Sequence, residues 1–219
     1  MLSEDNILFK GVSKEDCRRM LTCLRADEKH FRAGSRIAVF SGGNDRIGII
    51  LSGKASMLMY DINGIRTIAD TLGEQSIFGE FFTFTGSHRT SVELVADTDC
   101  NVLFIHREDI LKRCENACTC HSTVVENLLM LMSEKAMSLS EHIEILSQRS
   151  IGEKILSFLR ITQDNSPEGS EPEIPFSMTA LADYLCVNRS ALQREIARMK
   201  REGIIELDKR RFRILAAAD

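Results

Sequence analysis

Residues 118–146 read CTCHSTVVENLLMLMSEKAMSLSEHIEIL, an apolar repeat that no proline interrupts. Apolar residues recur in it at alternating spacings of four and three, which is the heptad seam of a helix that packs against a partner helix. The seam positions are Val125, Leu129, Met132, Ala136, Leu139, Ile143 and Leu146. The stretch therefore predicts a long helix that pairs two copies of the chain.

The same helix carries a second apolar flank, formed by Val124, Leu128, Leu131 and Ile145. A helix buried inside a single domain is the alternative interpretation. The seam persists for more than three heptads, however, and two flanks allow one to face the helix's own domain while the other faces a second chain. We therefore expect a homodimer whose long helix joins an N-terminal domain to a C-terminal one.

The sequence before this helix changes its periodicity. Residues 5–29 have the apolar spacing of helices, after which apolar residues alternate with small or polar ones, as in Ile47, Ile49 and Leu51. Glycine turns separate these short runs, and further strands are predicted at 92–96 and 101–105. Many short strands with glycine turns predict an antiparallel barrel or sandwich.

The C-terminal part has the pattern of a helix-turn-helix. Residues 162–176 contain all three prolines and are predicted to be an exposed loop. Ser177 or Thr179 can cap the next helix, which ends at a short break before Arg189, where a second helix begins. The first turns of that second helix carry arginine and glutamine, which can bind guanine and adenine through paired hydrogen bonds.

A basic hairpin follows this second helix and is suited to phosphate contact. The whole chain of 219 residues has a net charge of −4, yet residues 186–213 carry nine Lys/Arg against four acids, a net of +5. A solvated helix face is the alternative, but the order of turn, arginines and wing favours DNA. The predicted DNA contacts are Thr179, Asn188, Arg189, Ser190, Gln193, Arg194, Arg198, Lys209, Arg210 and Arg211.

The remaining composition bounds the class of protein. The hydrophobic content of 43% supports well-filled cores, and no apolar run approaches the roughly 18 residues of a membrane span. The first residues are acidic where a secretory signal would be basic, and seven cysteines at irregular spacing argue against a disulfide framework. We expect a cytoplasmic protein with reduced thiols and no membrane partner.

A cluster of soft side chains precedes the long helix. Cys114, Cys118, Cys120 and His121 are four potential metal ligands within eight residues. On one helix Cys120 points away from the other three, so a single helix cannot supply all four ligands. We expect structural thiols, and a metal or redox sensor is the alternative.

Two motifs carry a family resemblance. Phe78-Gly79-Glu80 in the strand-rich half and LADYLCVNRSALQRE at residues 181–195 resemble the Crp/Fnr superfamily of bacterial transcription regulators. The resemblance covers essentially the whole chain. It implies a β-roll sensor, a dimer on a near-palindromic operator, and RNA polymerase as a partner. In the cyclic AMP receptor the recognition helix opens with arginine and glutamate, whereas this chain has Arg189 and Ser190, so a different operator is expected.

The resemblance also implies an effector site. Cyclic-nucleotide-binding relatives carry Gly-Glu, which Gly79 and Glu80 match, followed by Arg-Ser or Arg-Thr. Counting along the chain places Thr90-Ser91 at that second position, with Arg89 one residue early, and a one-residue shift in a strand turns the side chain to the other face. We therefore expect a small effector other than cyclic AMP, while a fold-determining Gly-Glu turn is the alternative. The candidate effector contacts are Gly79, Glu80, Phe81, Arg89, Thr90, Ser91 and Ser138.

These patterns predict an α+β fold and three domains: an N-terminal antiparallel β-roll over 1–117, a dimerisation helix over 118–147 and a C-terminal winged helix-turn-helix over 148–219. No nucleophile and base occur in a recognised catalytic arrangement, and no glycine loop suited to phosphate binding is present, so we expect a regulator rather than an enzyme. A cyclic-nucleotide-binding module that does not bind DNA is the alternative.

Overall fold

The structure is a computed structural model that describes residues 6–40, 45–60, 66–85, 92–112, 119–167 and 169–215. The chain forms two compact units, residues 1–134 and 135–219. None of the helices in the described segments is both long and apolar enough to cross a membrane.

Two antiparallel sheets form the first unit. The strands are β1 Asp27–Phe31, β2 Arg36–Phe40, β3 Arg46–Ser52, β4 Ala55–Tyr60, β5 Arg66–Leu72, β6 Ile77–Phe78, β7 Val92–Ala96 and β8 Cys100–His106. One sheet has the order β1-β8-β3-β6 and the other β2-β7-β4-β5. The predicted antiparallel β-roll is confirmed, and the strands predicted at 92–96 and 101–105 are β7 and β8.

The strand β3 contributes side chains to two separate hydrophobic cores. Ile47 and Ile49 belong to a core shared with helices, whereas Ile50 belongs to the core that contains residues of both sheets. Gly48 lies on the inner side, where a Cβ would come within 1.9 Å of the Phe78 ring. The strand is therefore buried on both faces, one towards the helices and the other in the aromatic interior, and the predicted alternation with small or polar residues is wrong at Ile50.

The helical prediction for residues 5–29 is correct only in part. Ile7–Phe9 form a 3-10 turn and Lys14–Cys23 form α1, but Asp27–Phe31 is strand β1. Four of its five residues are exposed, so β1 has no alternating apolar pattern, and it is held by its pairing with β8. An edge strand of this kind leaves little trace in hydrophobic periodicity.

Three further helices are α2 Glu80–Thr85, which lies between β6 and β7, and α3 Arg107–Leu111 and α4 Thr119–Ser147, which follow β8. The long helix α4 confirms the helix predicted at 118–146. Its Val124, Leu128 and Leu131 are buried with Ile47 and Ile49, and Asn127 donates hydrogen bonds to the carbonyls of Leu8 and Lys10 at 3.0 and 2.8 Å. The second apolar flank of the repeat therefore does face the helix's own unit.

A buried carboxylate paired with two exposed cations fixes α3 within the first unit. The Asp109 carboxylate is fully buried and accepts hydrogen bonds from Arg25 Nε at 2.8 and 3.0 Å and from Lys112 Nζ at 2.9 Å. Burial alone would raise the pKa of Asp109, but the hydrogen bonds from Arg25 and Lys112 outweigh it and hold the pKa below its ordinary value. Asp109 is therefore a charged anchor of the fold.

The second unit is a winged helix-turn-helix, as predicted. Its elements beyond α4 are α5 Ile151–Asp164, α6 Met178–Tyr184, α7 Arg189–Arg201, β9 Ile205–Asp208 and β10 Arg211–Ile214. Ile145 of α4 is buried in the same core as Leu192 and Ile196 of α7. The predicted exposed loop at 162–176 needs correction, because Ile174 is only 2% exposed and its N–H bonds the Arg210 carbonyl at 2.8 Å.

Candidate nucleic-acid interface

The helix α7 is oriented by its buried side. Leu192, Ile196 and Met199 lie in the core at helical spacing, and Gly152 of α5 comes so close that a Cβ there would lie 2.5 Å from Glu195 Oε1. Asn188 caps the N-terminus of the helix. The opposite side of the first two turns is therefore held outward on a rigid element.

The exposed side of α7 carries the predicted reading residues. Arg189, Ser190, Gln193 and Arg194 are all exposed, and Thr179 of α6 is exposed as well. Spacings of one, four and five residues place the four α7 side chains on adjoining parts of one helix side. Within the described residues, neither Arg189 nor Arg194 forms an ion pair, so both guanidinium groups are available to a polyanion.

The N-cap of α7 has a specific hydrogen-bond geometry. Asn188 Oδ1 accepts from the backbone N–H of Ser190 at 2.9 Å and from the Ser190 hydroxyl at 2.6 Å. This is a side-chain cap that satisfies an unpaired N–H of the first helical turn. It also fixes the direction in which the Ser190 hydroxyl points.

Arg198 differs from the other predicted DNA contacts. It is half-buried, and its guanidinium bonds Glu195 at 2.7 and 3.2 Å and also pairs with Glu202. The hydrogen bonds with Glu195 and Glu202 raise the pKa of Arg198, and Arg198 in turn lowers the pKa of Glu195. Its charge is therefore compensated within α7.

The wing between β9 and β10 divides its cations in a similar way. Arg210 donates to the carbonyls of Ile174 and Pro175 at 2.9 and 2.8 Å. Arg211 pairs with Glu173 and Glu171 at 2.9 and 3.4 Å. Lys209 lies exposed at the turn with a φ of +53°, and of the three predicted wing contacts it is the one for which the described structure shows no hydrogen bond or ion pair.

The candidate effector residues are only partly described. Gly79 has a φ of +85° and leads into α2, Glu80 is 2% exposed and Phe81 is half-buried. Arg89, Thr90 and Ser91 lie outside the described residues. Ser138 is exposed on α4 in the second unit. The structure therefore describes the Gly-Glu half of the predicted site and not the part that would hold a phosphate.

The predicted metal ligands are likewise divided. Cys114 and Cys118 lie outside the described residues. His121 is buried with Nε2 2.7 Å from the Ile110 carbonyl oxygen, and Cys120 packs against the helix-covered core of the first unit. Among the described residues, no group of three or more His, Cys, Asp or Glu side chains could hold a metal ion.

The helix α4 has an exposed stripe on the side away from the cores. Its members, which we call the exposed stripe, are Leu129, Met130, Ala136, Met137, Leu139 and Ile143, and the five larger ones are 57–68% exposed. Val125 and Met132 of the predicted seam instead pack partly against the first unit's core, and Leu146 is half-buried. The stripe also contains Met130 and Met137, which the predicted seam does not include.

Comparison with known proteins identifies two matching domain families and a related transcription regulator. Residues 28–117 match the family described as cyclic nucleotide-binding domain, and residues 153–218 match the Crp-like helix-turn-helix domain. The chain is 23% identical over 218 residues to the transcriptional activator protein FnrL of Cereibacter sphaeroides, covering 91% of this chain and 86% of FnrL.

Solved structures show the same fold. A CooA mutant from Carboxydothermus hydrogenoformans has a TM-score of 0.60 at 16% identity, with 99% of this chain and 94% of CooA covered. The catabolite activator protein of Thermus thermophilus has a TM-score of 0.52 at 20% identity, with 95% and 93% covered. With a cyclic nucleotide-binding domain and a Crp-like helix-turn-helix matched in this order, the chain belongs to the Crp/Fnr family of DNA-binding transcription regulators.

Proposed function

We propose that the protein is a homodimeric regulator that reads a near-palindromic operator with one α7 helix from each protomer. The two recognition helices of such a dimer enter successive major grooves about 34 Å apart. RNA polymerase is the expected partner on the DNA. The observation that carries the proposal is the pair of exposed guanidinium groups, Arg189 and Arg194, at the capped start of α7.

The charges around α7 support this choice of contacts. Arg189 and Arg194 have no carboxylate partner in the described part of the chain, whereas Arg198 is compensated by Glu195 and Glu202. Arginine forms the commonest specific contact to guanine, through the O6 and N7 atoms. The base contacts are therefore assigned to the first two turns of α7, and Arg198 acts as a structural group.

Dimerisation is supported by the exposed stripe of α4. Five large apolar side chains on one side of a single helix are more than the scattered apolar residues of an ordinary surface. The heptad spacing of the stripe matches a helix that pairs with a copy of itself. The occupant we assign to it is therefore the α4 helix of a second protomer.

The effector is proposed to be a small molecule other than cyclic AMP. The support is the sequence Arg89-Thr90-Ser91, in which arginine stands one residue before the position that holds the cyclic phosphate in nucleotide-binding relatives. Loss of a charge-assisted contact to phosphate removes one of the strongest interactions available to such a ligand. The effector would act by binding two dimer arrangements with different affinity.

The test of DNA reading is a comparison of arginine variants on an operator enriched from random duplex DNA by the full-length protein. Arg189→Ala and Arg194→Ala should each lower operator affinity about 5- to 150-fold, since a good base contact contributes about 1–3 kcal/mol. Arg160→Ala, which removes an exposed arginine of α5, is the matched control and should change affinity less than twofold. Unchanged affinity in both α7 variants would overturn the proposed function.

A further inference from the structure

The Ser190 hydroxyl has a determined hydrogen-bond role. The backbone N–H of Ser190 donates to the side chain of Asn188 at 2.9 Å, so the atom it meets must be the amide oxygen and not the amide nitrogen. The Ser190 hydroxyl lies 2.6 Å from the same oxygen. Because that oxygen can only accept, the hydroxyl proton points at Asn188.

A hydroxyl whose proton is committed can only accept from a third group. Serine normally reads either kind of base edge, since its hydroxyl both donates and accepts. Here the lone pairs alone face outward, from an exposed residue on the first turn of α7. In the major groove, cytosine N4 and adenine N6 donate, whereas guanine O6 and N7 and thymine O4 accept.

We propose that Ser190 determines operator specificity as an acceptor, favouring cytosine or adenine at the base it faces, and that Asn188 is the positioning residue that imposes this preference. The inference rests on the proposed function, because it assigns a base preference within the interface assigned above to Arg189 and Arg194. It predicts one operator position, in each half-site, at which a base with an exocyclic amino group is preferred.

The expected discrimination is modest and measurable. To face guanine or thymine as a donor, the hydroxyl would have to leave Asn188 and give up one hydrogen bond. A neutral hydrogen bond corresponds to about a 3- to 10-fold difference in affinity. The preference at this position should therefore be weaker than the one imposed by an arginine that binds guanine through two hydrogen bonds.

Selection from random duplex DNA with the full-length protein tests the proposal through four forms of the chain: wild type, Ser190→Ala, Asn188→Asp and Asn188→Gly. The position whose preference disappears in Ser190→Ala identifies the base that Ser190 reads. Wild type should enrich cytosine or adenine there about 3- to 10-fold. Asn188→Asp keeps the accepting oxygen and should keep the preference.

Asn188→Gly separates positioning from simple stabilisation. Glycine is well tolerated at a helix N-cap, but it frees the Ser190 proton, so guanine and thymine should gain at the identified position. A merely structural role for Asn188 would lower the affinity for all operators equally.

Three outcomes would overturn the inference while leaving the proposed function intact. They are enrichment of guanine or thymine by wild type at the identified position, an unchanged profile in Ser190→Ala, or an unchanged base preference in Asn188→Gly. If wild type enriched no sequence at all, or if Arg189→Ala and Arg194→Ala kept the wild-type profile, the proposed function would itself fail and the inference with it.

Discussion

The imidazole ring of His142 stacks on the phenol ring of Tyr184, with centroids 4.1 Å apart and planes within 10° of parallel. His142 Nε2 also donates to the Tyr184 carbonyl oxygen at 2.8 Å. His142 lies on α4, and Tyr184 is the last residue of α6, just before the turn that leads to α7. One side chain thus ties the long helix to the first helix of the helix-turn-helix.

Removing the contact between His142 and Tyr184 should destabilise the second unit. His142→Ala loses both the ring contact and the hydrogen bond, and we expect a loss of about 1–2 kcal/mol in unfolding free energy. His142→Phe keeps a ring that can stack on Tyr184 and should recover about half of the loss. Urea unfolding of the two variants measures this, and wild-type stability in His142→Ala would show that the contact contributes nothing.

The buried Asp109 predicts a pH dependence. Its pKa is lowered in the folded chain, so its stabilising contribution is complete above the unfolded-state pKa of about 3.9 and is lost as the pH falls through the folded-state value. Asp109→Asn should therefore be less stable than wild type at pH 7, by about 1–2 kcal/mol given that Arg25 is largely exposed.

The difference between Asp109→Asn and wild type should shrink as the pH is lowered below about 4. Urea midpoints at several pH values measure this, with the exposed Glu28→Gln as the control for loss of a carboxylate. A gap between wild type and Asp109→Asn that stayed constant down to acidic pH would argue against a charged Asp109 in the folded state.

The contacts of the wing predict different effects for substitution of Lys209 and of Arg210. Lys209→Ala should weaken binding to all operators alike and reduce the slope of log affinity against log salt by about 1, as expected for one lost phosphate contact. Arg210→Ala should instead lower the unfolding temperature, because it leaves the carbonyls of Ile174 and Pro175 without their donor.

Titrations at four salt concentrations and thermal unfolding separate the two effects. An unchanged salt slope in Lys209→Ala, or an unchanged unfolding temperature in Arg210→Ala, would contradict the assignment of that residue.

The exposed stripe predicts the effect of a charge on dimerisation. Leu139→Lys should dissociate the proposed dimer, because two leucines buried in its interface would contribute about 3–6 kcal/mol and the lysines repel each other. Operator affinity should fall in parallel. Glu134→Lys adds charge at an exposed α4 position outside the stripe and should leave the dimer intact. A dimeric Leu139→Lys in sedimentation velocity would remove the stripe as the interface.

The effector proposal predicts the response to cyclic nucleotides. A ligand at about 100 times its dissociation constant stabilises by about 2.7 kcal/mol, which is a shift of about 5–10 °C for a chain of this size. Neither cyclic AMP nor cyclic GMP should shift the wild type. Thr90→Arg restores arginine at the position that relatives use and should introduce a shift with cyclic AMP. A clear shift of the wild type with cyclic AMP would refute the proposal.

The sequence allowed prediction of elements whose apolar residues are periodic. The strand β7 and the helix α7 have one strongly apolar side, and β8 and α4 have apolar residues on two sides, so their patterns were sufficient. The strand β1 was missed because it is exposed and depends on β8 for its hydrogen bonds. Ile174 was missed because turn-forming residues surround it, although it packs in the core.

It was harder to predict which of the expected DNA contacts already pair with other residues of the chain. The pairing of Arg198 with Glu195 and Glu202 could have been suspected from their spacing of three and four residues. The bonds from Arg210 and Arg211 to residues 171–175 join positions far apart in sequence, which a local pattern does not show. The exposed stripe differs from the predicted seam because Val125 and Met132 pack partly against the core of the first unit, a contact that heptad spacing does not show.

In the helix α4, the apolar residues that pack in the cores and those that are exposed lie on different sides. Val124, Leu128 and Leu131 fill one core and Ile145 another, while Leu129 and Ile143 face outward. Substitution of these exposed residues should change the unfolding free energy of a single protomer very little. In evolution, the strength of pairing between protomers and the choice of a related chain as partner could therefore change. Such changes would not affect the folding of the single protomer.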